Sequence, residues 1–382
     1  MRLSAIWMAL VIGAVSPLSA EEIPRFTDEG FRVPQPGTVL EFPRAHASHP
    51  AYKIEWWYLT GHLFAAEDRR FGFQATFFRV GARPPDPADT DPPAPDEAFG
   101  DSETHLTHMS LLDVRGDRFL HRERLNRDGH RASASTKILD VRNGDWRLRM
   151  VDPGREQMHL RFSLGSDARI DLALEPVKPR VIFGEDGTSR KGSAPTARSY
   201  YITFPRLAVT GTIDLGSETV PVRGEAWMDH EIASEQLSED LAGWDWTAIH
   251  LHDGREVKAY ILRRPDGTPD EFSSLIWISR DNELTYIGPG GFRWEADRTW
   301  RSPRTGAVYP IEPRITTTDP ETGEPVVFQL RALRDDQEMN TRLGGPTYWE
   351  GACVVFDAYG REIGNAYLEL VGYADDASAS LR

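Results

Sequence analysis

Short, aromatic-rich runs of alternating residues dominate the chain after residue 50, and they constrain its fold more than any other feature. They include EWWYLTGHLF, FGFQATFFRV and MHLRFSL in the first half, and WDWTAIHL, VKAYILR and NAYLELVGY in the second. Turn signals such as Asn143-Gly144 and Asp253-Gly254 separate them. Because no long stretch with a helical period competes after residue 50, the pattern predicts an all-β fold of barrels or sandwiches.

Length and an internal repeat indicate two domains. The 382 residues allow each of two domains to bury its own core. The run WWYLTGHL, from Trp56, aligns without gaps with WDWTAIHL, from Trp244, and matches two aromatic residues, a histidine and a leucine. We therefore expect two related β domains, over residues 46–200 and 201–375, with a junction near residue 200.

The remaining segments have little to bury. Residues 1–20 combine a positive start, an apolar run and a small-residue exit, which predicts a signal peptide cut after Ala20 and a secreted or periplasmic protein. Residues 21–45 are expected as an N-terminal extension and residues 376–382 as a tail. The proline- and aspartate-rich segment from Gly81 to Glu103 predicts a long exposed loop between two strands of the first domain, with a functional lid as the alternative.

Charge and composition narrow the classes of partner. A formal charge of −15 opposes binding to nucleic acid or anionic head groups and suits a neutral or apolar ligand. The single cysteine, Cys353, forms no intramolecular disulfide, and we expect it as a small buried strand residue. No apolar stretch is long enough to span a membrane, so we expect no transmembrane segment in the mature chain. No cofactor is expected.

The motif EWWY opens the first aromatic run. On a strand, Trp56 and Tyr58 share one face, and Glu55 and Trp57 share the other. Both faces are apolar near the start, as in a strand that is covered on both sides. We expect Glu55, Trp57 and Tyr58 to contribute to core and pocket wall, with Glu55 anchored by a backbone N–H or an arginine rather than acting as an acid.

A second concentration of acids and indoles spans residues 224–254. We single out Asp229, His230 and Asp245 as candidate catalytic residues, and as pocket aromatics Trp227, Trp244 and Trp246. An apolar site raises the pKa of a carboxyl group until it can donate a proton near neutral pH, and indole faces stabilise a carbocation. Asp229 and His230 point to opposite sides if their strand stays regular, and toward one mouth if it ends there. A buried Asp–His pair that ties a loop to the barrel explains these residues equally well.

Other chemistries have less support. The sequence contains no G-x-S-x-G elbow and no P-loop. His250 and His252 share a strand face and could join His230 around a metal ion, but the signal is unspecific and no metal is expected.

The motifs HPAYKIEWWYLTGHL, SYYITFPRLAVTGTI, GEAWMDHE, GWDWTAIHLHDG and GNAYLELVGY occur in the order seen in the AttH/CrtC-like family. From about residue 45 to residue 375, the chain thus resembles a family that includes proteins labelled carotenoid 1,2-hydratase and secreted hydrolases associated with ABC transporters. The resemblance implies two lipocalin-like β domains packed together, with a ligand pocket in or between them.

The resemblance also implies acid-catalysed addition of water to an isolated C=C bond of an apolar, polyene- or lipid-like ligand. The three candidate catalytic residues would supply the acidic cluster. The alternative is a non-catalytic binding protein that serves an envelope ABC transporter. Hydrolysis is a weaker third hypothesis, because no nucleophile–base pair is visible. In all cases we expect the indole-rich strands of each half to curl around an apolar hollow.

Overall fold

The computed structural model describes residues 22–84 and 103–374. Its regular elements are 23 β-strands and two single-turn 3₁₀-helices, Arg44–His46 and Ala66–Asp68. None of the described helices is long and apolar enough to cross a membrane. The predicted signal peptide, the predicted tail and residues 85–102 of the predicted loop lie outside the described residues. The all-β prediction is confirmed.

The first sheet has thirteen strands, and every pairing in it is antiparallel. In chain order they are β1 (Ile54–Phe64), β2 (Arg70–Gly81), β3 (Glu103–Asp113), β4 (Arg118–Arg127), β5 (Ala132–Ala134), β6 (Asp140–Asn143), β7 (Trp146–Asp152), β8 (Gln157–Ser163), β9 (Arg169–Pro176), β10 (Val181–Phe183), β11 (Ser189–Arg190), β12 (Arg198–Asp214) and β13 (Thr219–Ala233). The spatial order is β4-β3-β2-β1-β13-β12-β9-β8-β7-β6-β5, and β10 and β11 pair with β12. The sheet curls until its ends meet. Arg124 and Asn126 of β4 there hydrogen-bond to Asn143 of β6.

The second sheet has ten strands. They are β14 (Gly243–Leu251), β15 (Glu256–Arg263), β16 (Ser274–Ile278), β17 (Leu284–Ile287), β18 (Arg293–Arg301), β19 (Val308–Thr318), β20 (Pro325–Ala332), β21 (Glu338–Met339), β22 (Tyr348–Phe356) and β23 (Glu362–Val371). Their order is β17-β16-β15-β14-β23-β22-β20-β19-β18, and β21 pairs with β22. The chain therefore passes from one sheet to the other between Ala233 and Gly243, after the junction expected near residue 200, because β12 and β13 pair with the first sheet.

Each sheet encloses an apolar core of its own. Trp57, Phe73 and Trp146 lie in the first core, and Trp277 and Trp349 lie in the second. Cys353 is fully buried in the second core, as predicted. Neither core includes a residue that lines the large cavity described below. The cavity expected within each half is therefore found between the two sheets.

A buried carboxylate fastens the segment before β1 to the first sheet. Glu55 accepts hydrogen bonds from Arg79 Nε, from Ser48 Oγ and from the backbone N–H of His49, each at 2.8 Å. Burial alone would raise the pKa of Glu55, but the charge of Arg79 and hydrogen bonds from His230 and His49 hold it well below its ordinary value. Glu55 is therefore an ionised anchor, the role that the sequence favoured.

We expect Glu55→Gln to lower the free energy of unfolding by about 3 kcal/mol, because buried Arg79 loses its nearest counter-ion. The matched control, Glu67→Gln, removes an exposed ion pair with Arg115 and should cost less than about 1 kcal/mol. Urea unfolding of both variants measures the two effects.

The contribution of Glu55 also depends on pH. Its folded pKa lies below the ordinary 4.5, so its contribution is present above that pH and is lost as the pH falls. Equal losses in the two variants at neutral pH would contradict the anchoring role.

Candidate ligand pocket and its acidic wall

A cavity of about 430 Å³ lies between the two sheets. The same strands contribute alternate residues to the cavity and to a core. On β1, Trp56 and Tyr58 face the cavity, whereas Trp57 and Leu59 lie in the first core. This arrangement explains why both faces of β1 are apolar. The strand is covered on one side by its own core and on the other by the second sheet.

The outer end of the cavity is apolar. Its lining includes Ile54, Phe78, Val80, Leu106, Leu125, Leu343 and Val371. Of these, Leu125 and Leu343 are 41% and 50% exposed, so apolar side chains reach the solvent at this end. Exposed apolar surface is typical of ligand-binding grooves and of protein interaction sites. We call this end the mouth.

The loop that carries Leu343 covers the mouth from the side of the second sheet. Its glycines Gly344 and Gly345 have φ values of +147° and +80°, which residues with a side chain rarely adopt. The Glu123 carboxylate of β4 accepts the backbone N–H groups of Arg342 and Leu343 at 2.6 and 3.1 Å. The loop is thus tied to the first sheet.

Aromatic rings from both sheets form the middle of the cavity. Tyr58 meets Trp246 edge to face, with ring centroids 5.3 Å apart, and the Trp227 ring lies 6.2 Å from that of Trp246. Trp56 and Trp244 also line the cavity. The two aligned sequence repeats, on β1 and β14, therefore face each other across the same space.

Asp229 of β13 lies in the cavity wall and is held by three donors. Its Oδ2 accepts the hydroxyl of Tyr201 at 2.7 Å, and its Oδ1 accepts the indole N–H of Trp227 at 2.8 Å and the hydroxyl of Thr203. Burial raises the pKa of Asp229 to about 6, against the opposing effect of these donors and of Lys258. Asp229 can therefore exchange a proton near neutral pH.

A second acidic group comes from β22 and β23, where Glu350 and Glu369 are directly opposed in the ladder. Glu369 accepts the indole N–H of Trp244 at 2.8 Å, and burial raises its pKa to about 7. Glu350 accepts the hydroxyl of Tyr58 at 2.9 Å; burial and the charge of Glu369 raise its pKa well above the ordinary value. Opposed carboxylates repel, so this pair retains a proton at neutral pH.

Two lysines lie on the acidic side of the cavity. Lys191 Nζ is 2.9 Å from Glu231 Oε2 and 4.4 Å from the centre of the Tyr201 ring. Lys258 is fully buried, with its Nζ 4.1 and 4.2 Å from the rings of Tyr201 and Tyr260, and burial lowers its pKa well below the ordinary value. The wall therefore carries groups of both signs beside the aromatic rings.

The structure does not bring the three candidate catalytic residues together. β13 stays regular to Ala233, so His230 points away from Asp229 and stacks on Trp57 at a centroid distance of 4.7 Å. Burial lowers the pKa of His230 to about 4, which leaves the ring neutral. Asp245 likewise points away from the cavity: it pairs with Arg263 at 3.0 Å and accepts the Tyr373 hydroxyl. Burial raises the Asp245 pKa, the direction expected from its apolar neighbours.

The candidate ligand-binding residues divide in the same way. Tyr58, Trp244 and Trp246 line the cavity. Trp227 contacts it through the hydrogen bond to Asp229, whereas Glu55 and Trp57 belong to the other face of β1.

Two groups of side chains among the described residues could offer three ligand atoms to a metal ion: His49, Glu55 and His230, and Glu103, His105 and Asp128. In the first group the Glu55 oxygens already accept hydrogen bonds from the guanidinium of Arg79 and from Ser48. A cation in this first group would lie against the Arg79 charge, so His49, Glu55 and His230 do not fit a metal. His250 and His252 belong to neither group.

Sequence reasoning missed Glu350, Glu369 and Lys258. Each is a single charged residue within a run of buried apolar strand residues, in YWEGACVV, AYLELV and VKAYIL. A charge in such a run is costly without a partner or a task, and this signal could have identified them. Their convergence with Asp229 depends on pairing between distant strands, which local patterns do not specify.

The comparisons with known proteins agree with this architecture. The family model described as AttH-like matches residues 33–373. A crystal structure of an AttH protein from Nitrosomonas europaea is 33% identical, covers 89% of this chain and 98% of its own, and has a TM-score of 0.77. Together with the two curled sheets, this match confirms the lipocalin-like fold.

Two curated relatives are more distant. Kievitone hydratase of Fusarium solani subsp. phaseoli is 20% identical over 224 residues, which are 57% of this chain. The ceramide-binding protein SVF1 of Debaryomyces hansenii is 23% identical over 175 residues, which are 40% of this chain. The chain spans only 61% and 43% of the lengths of these relatives. The crystal structure of kievitone hydratase from Nectria haematococca is 14% identical, covers 88% of this chain and 94% of its own, and shares the fold with a TM-score of 0.66.

The raised pKa of Glu369 has a consequence for stability. The folded chain binds this proton more tightly than the unfolded chain, so the contribution is fully present below the ordinary 4.5 and is lost as the pH rises through about 7. Glu369→Gln cannot ionise. We therefore expect the unfolding free energy of this variant, relative to that of the wild type, to rise by about 2 kcal/mol between about pH 5 and pH 8.

Urea unfolding at the two pH values measures this change. Glu362→Gln, at an exposed position of the same strand, is the control and should follow the wild type. Parallel pH dependence of Glu369→Gln and the wild type would contradict the assignment.

Proposed function

The chain belongs to the AttH-like family, and on that premise we propose that its cavity binds an apolar ligand and adds water to an isolated C=C bond of that ligand. The observation that carries the proposal is a set of carboxyl groups with raised pKa values in the wall of an aromatic, apolar cavity. Such groups can donate a proton to a substrate that offers no polar handle.

Glu369 is the proposed proton donor. Its pKa of about 7 keeps a large fraction of it protonated at neutral pH. Glu369 is only partly buried because it faces the cavity. It would therefore lie next to a bound ligand. In the first step the carboxyl proton forms a C–H bond with one alkene carbon, and the other carbon becomes cationic. The Trp244 indole N–H stabilises the carboxylate that remains.

Aromatic faces stabilise the cation until water captures it. Trp56, Tyr58 and Trp246 line the same cavity as Glu369 and Asp229. A cation over such a face gains about 2 kcal/mol when the site is desolvated. Water then forms the C–O bond, and its surplus proton passes to Asp229 or returns to Glu369. The net reaction consumes one water molecule, and proton exchange between the acids restores the starting state.

The same cavity supports a second candidate function, the binding of a lipid without chemistry. Both oxygens of Asp229 are occupied by donors of the protein, as in a structural carboxylate. One relative, SVF1, is described as ceramide-binding. In this case the protein would carry its ligand for an envelope ABC transporter.

The location of the protein is part of the proposal. The signal-peptide pattern of residues 1–20 supports export to the periplasm or secretion. Detection of a mature N-terminus at residue 21 in the periplasmic fraction tests it. A protein retained in the cytoplasm with residue 1 intact would contradict it.

The hydratase proposal predicts the effects of three substitutions. Glu369→Gln and Asp229→Asn should lower turnover by about a hundredfold or more, since each removes a group that transfers a proton. Asp245→Asn lies outside the cavity and should retain turnover. Incubation of apolar alkenes that co-purify with the protein, in water labelled with heavy oxygen, followed by mass spectrometry, measures product formation.

Ligand binding separates the two candidate functions. Quenching of tryptophan fluorescence should report equal affinity in the wild type and in Glu369→Gln, because the apolar contacts remain. A ligand that is bound by the wild type but recovered without labelled oxygen would favour the carrier. Loss of turnover in Asp245→Asn alone would overturn the assignment of the acids.

A further inference from the structure

Three spaces lie in a row between the two sheets. Beyond the large cavity comes a small internal cavity of about 10 Å³, and beyond that a surface groove of about 350 Å³. Along β1 the residues on one strand face line them in turn. Trp56 and Tyr58 face the large cavity, Thr60 faces the small one, His62 reaches both the small cavity and the groove, and Phe64 faces the groove.

Three other strands repeat this order. On β13 the residues from the large cavity outward are Asp229, Trp227 and Glu225. On β14 they are Trp246, Ala248 and His250, and on β23 they are Glu369, Tyr367 and Asn365. Because alternate residues of a strand share a face and each residue advances about 3.3 Å, the three spaces are collinear over about 13 Å. Four strands thus border the three spaces in the same order, and we call this line of spaces the passage.

The narrow part of the passage has room and bonding capacity for water. A space of about 10 Å³ for the centre of a water-sized sphere corresponds to one water molecule. Thr60 Oγ1, which borders it, and Glu350 Oε2 are buried and have no hydrogen-bond partner within the described part of the chain. Buried polar atoms almost always have a hydrogen-bond partner, and a water molecule in this space would be the partner of Thr60 Oγ1.

The inner end of the passage leads to the acidic wall. The Trp227 ring borders the small cavity, and its indole N–H donates to Asp229 at 2.8 Å. Tyr367 also borders it, and burial followed by the charge of Glu350 raises the pKa of the Tyr367 hydroxyl. Trp227 and Tyr367 thus lie between a water molecule at this point and the carboxyl groups of Asp229 and Glu350.

The outer end of the passage, which we call the gate, is polar. His62 accepts a hydrogen bond from Arg70 at Nδ1 and donates from Nε2 to the Ala366 carbonyl. His250 donates from Nε2 to the Pro205 carbonyl at 2.7 Å. Burial lowers the pKa of His62 well below the ordinary value and that of His250 to about 4, so both rings are neutral at physiological pH. The gate therefore differs from the mouth, where apolar residues meet the solvent.

We propose that this passage brings water and protons from the surface groove to the acidic wall, separately from the mouth through which an apolar ligand enters. Its role in hydration rests on the proposed function, whereas the passage itself does not. A ligand that fills the large cavity closes the mouth to water. The reaction nevertheless needs one water molecule at the far side of the ligand, and this route supplies it.

The test is the access of heavy water to the protonated carboxyl of Glu350, measured without any substrate. The carbonyl stretch of a protonated carboxyl shifts to lower frequency on deuteration, and its absence from Glu350→Gln assigns the band. Infrared spectra after rapid mixing with heavy water give the exchange rate. We expect Ala248→Leu, which fills the small cavity, to slow the exchange by about tenfold or more. Thr60→Val, which removes a hydroxyl without added volume, should slow it less.

The matched control is Thr210→Val, which lines the groove but not the small cavity and should exchange at the wild-type rate. Thermal unfolding followed by circular dichroism checks that the variants are folded, and Thr60→Val remains informative if Ala248→Leu is not. A crystal structure of the wild type should also show an ordered water beside Thr60 Oγ1.

Wild-type exchange rates in folded Ala248→Leu, or in folded Thr60→Val if the former does not fold, would overturn the passage. A dry small cavity in the crystal would do the same. Because no substrate is involved, a protein that exchanges as expected but hydrates nothing would contradict the proposed function and leave the passage intact.

Discussion

The separation of the two cores from the cavity depends on strands that are covered on both faces. β1, β13, β14 and β23 give one set of alternate side chains to the core of their own sheet and the other set to the space between the sheets. A shift of one residue in any of them would exchange core and cavity residues. The positions of Asp229, Glu369 and the aromatic rings all follow from this single register.

The electrostatic character of the cavity follows from the same burial. Carboxyl groups that would be fully ionised in water keep protons here because both sheets exclude solvent from them. Removal of solvent costs stability, which the apolar and aromatic contacts of two cores offset. The protein therefore retains protons on carboxyl groups at neutral pH beside a cavity whose wall also carries Lys191 and Glu231.

The sequence predicted the features that depend on local pattern. The alternation in EWWY correctly placed Trp56 and Tyr58 on one face and Glu55 and Trp57 on the other. The match between this run and WDWTAIHL corresponds to strands that face each other. His230 and Asp245 were grouped with Asp229 because they are near in sequence. A regular strand, however, turns immediate neighbours to opposite sides. Glu369 escaped notice because only the pairing of β23 with β14 and β22 brings it to Trp244 and Glu350.

The hydrogen bonds between Glu123 and the loop at the mouth have a consequence for the proposed function. The Glu123 carboxylate does not line the cavity, yet it accepts two backbone N–H groups of a loop from the opposite sheet. Under the proposed function, a ligand that left by the mouth would have to displace the loop and break both hydrogen bonds. The dissociation rate would then depend on a contact outside the cavity, and it would change without any alteration of the cavity wall.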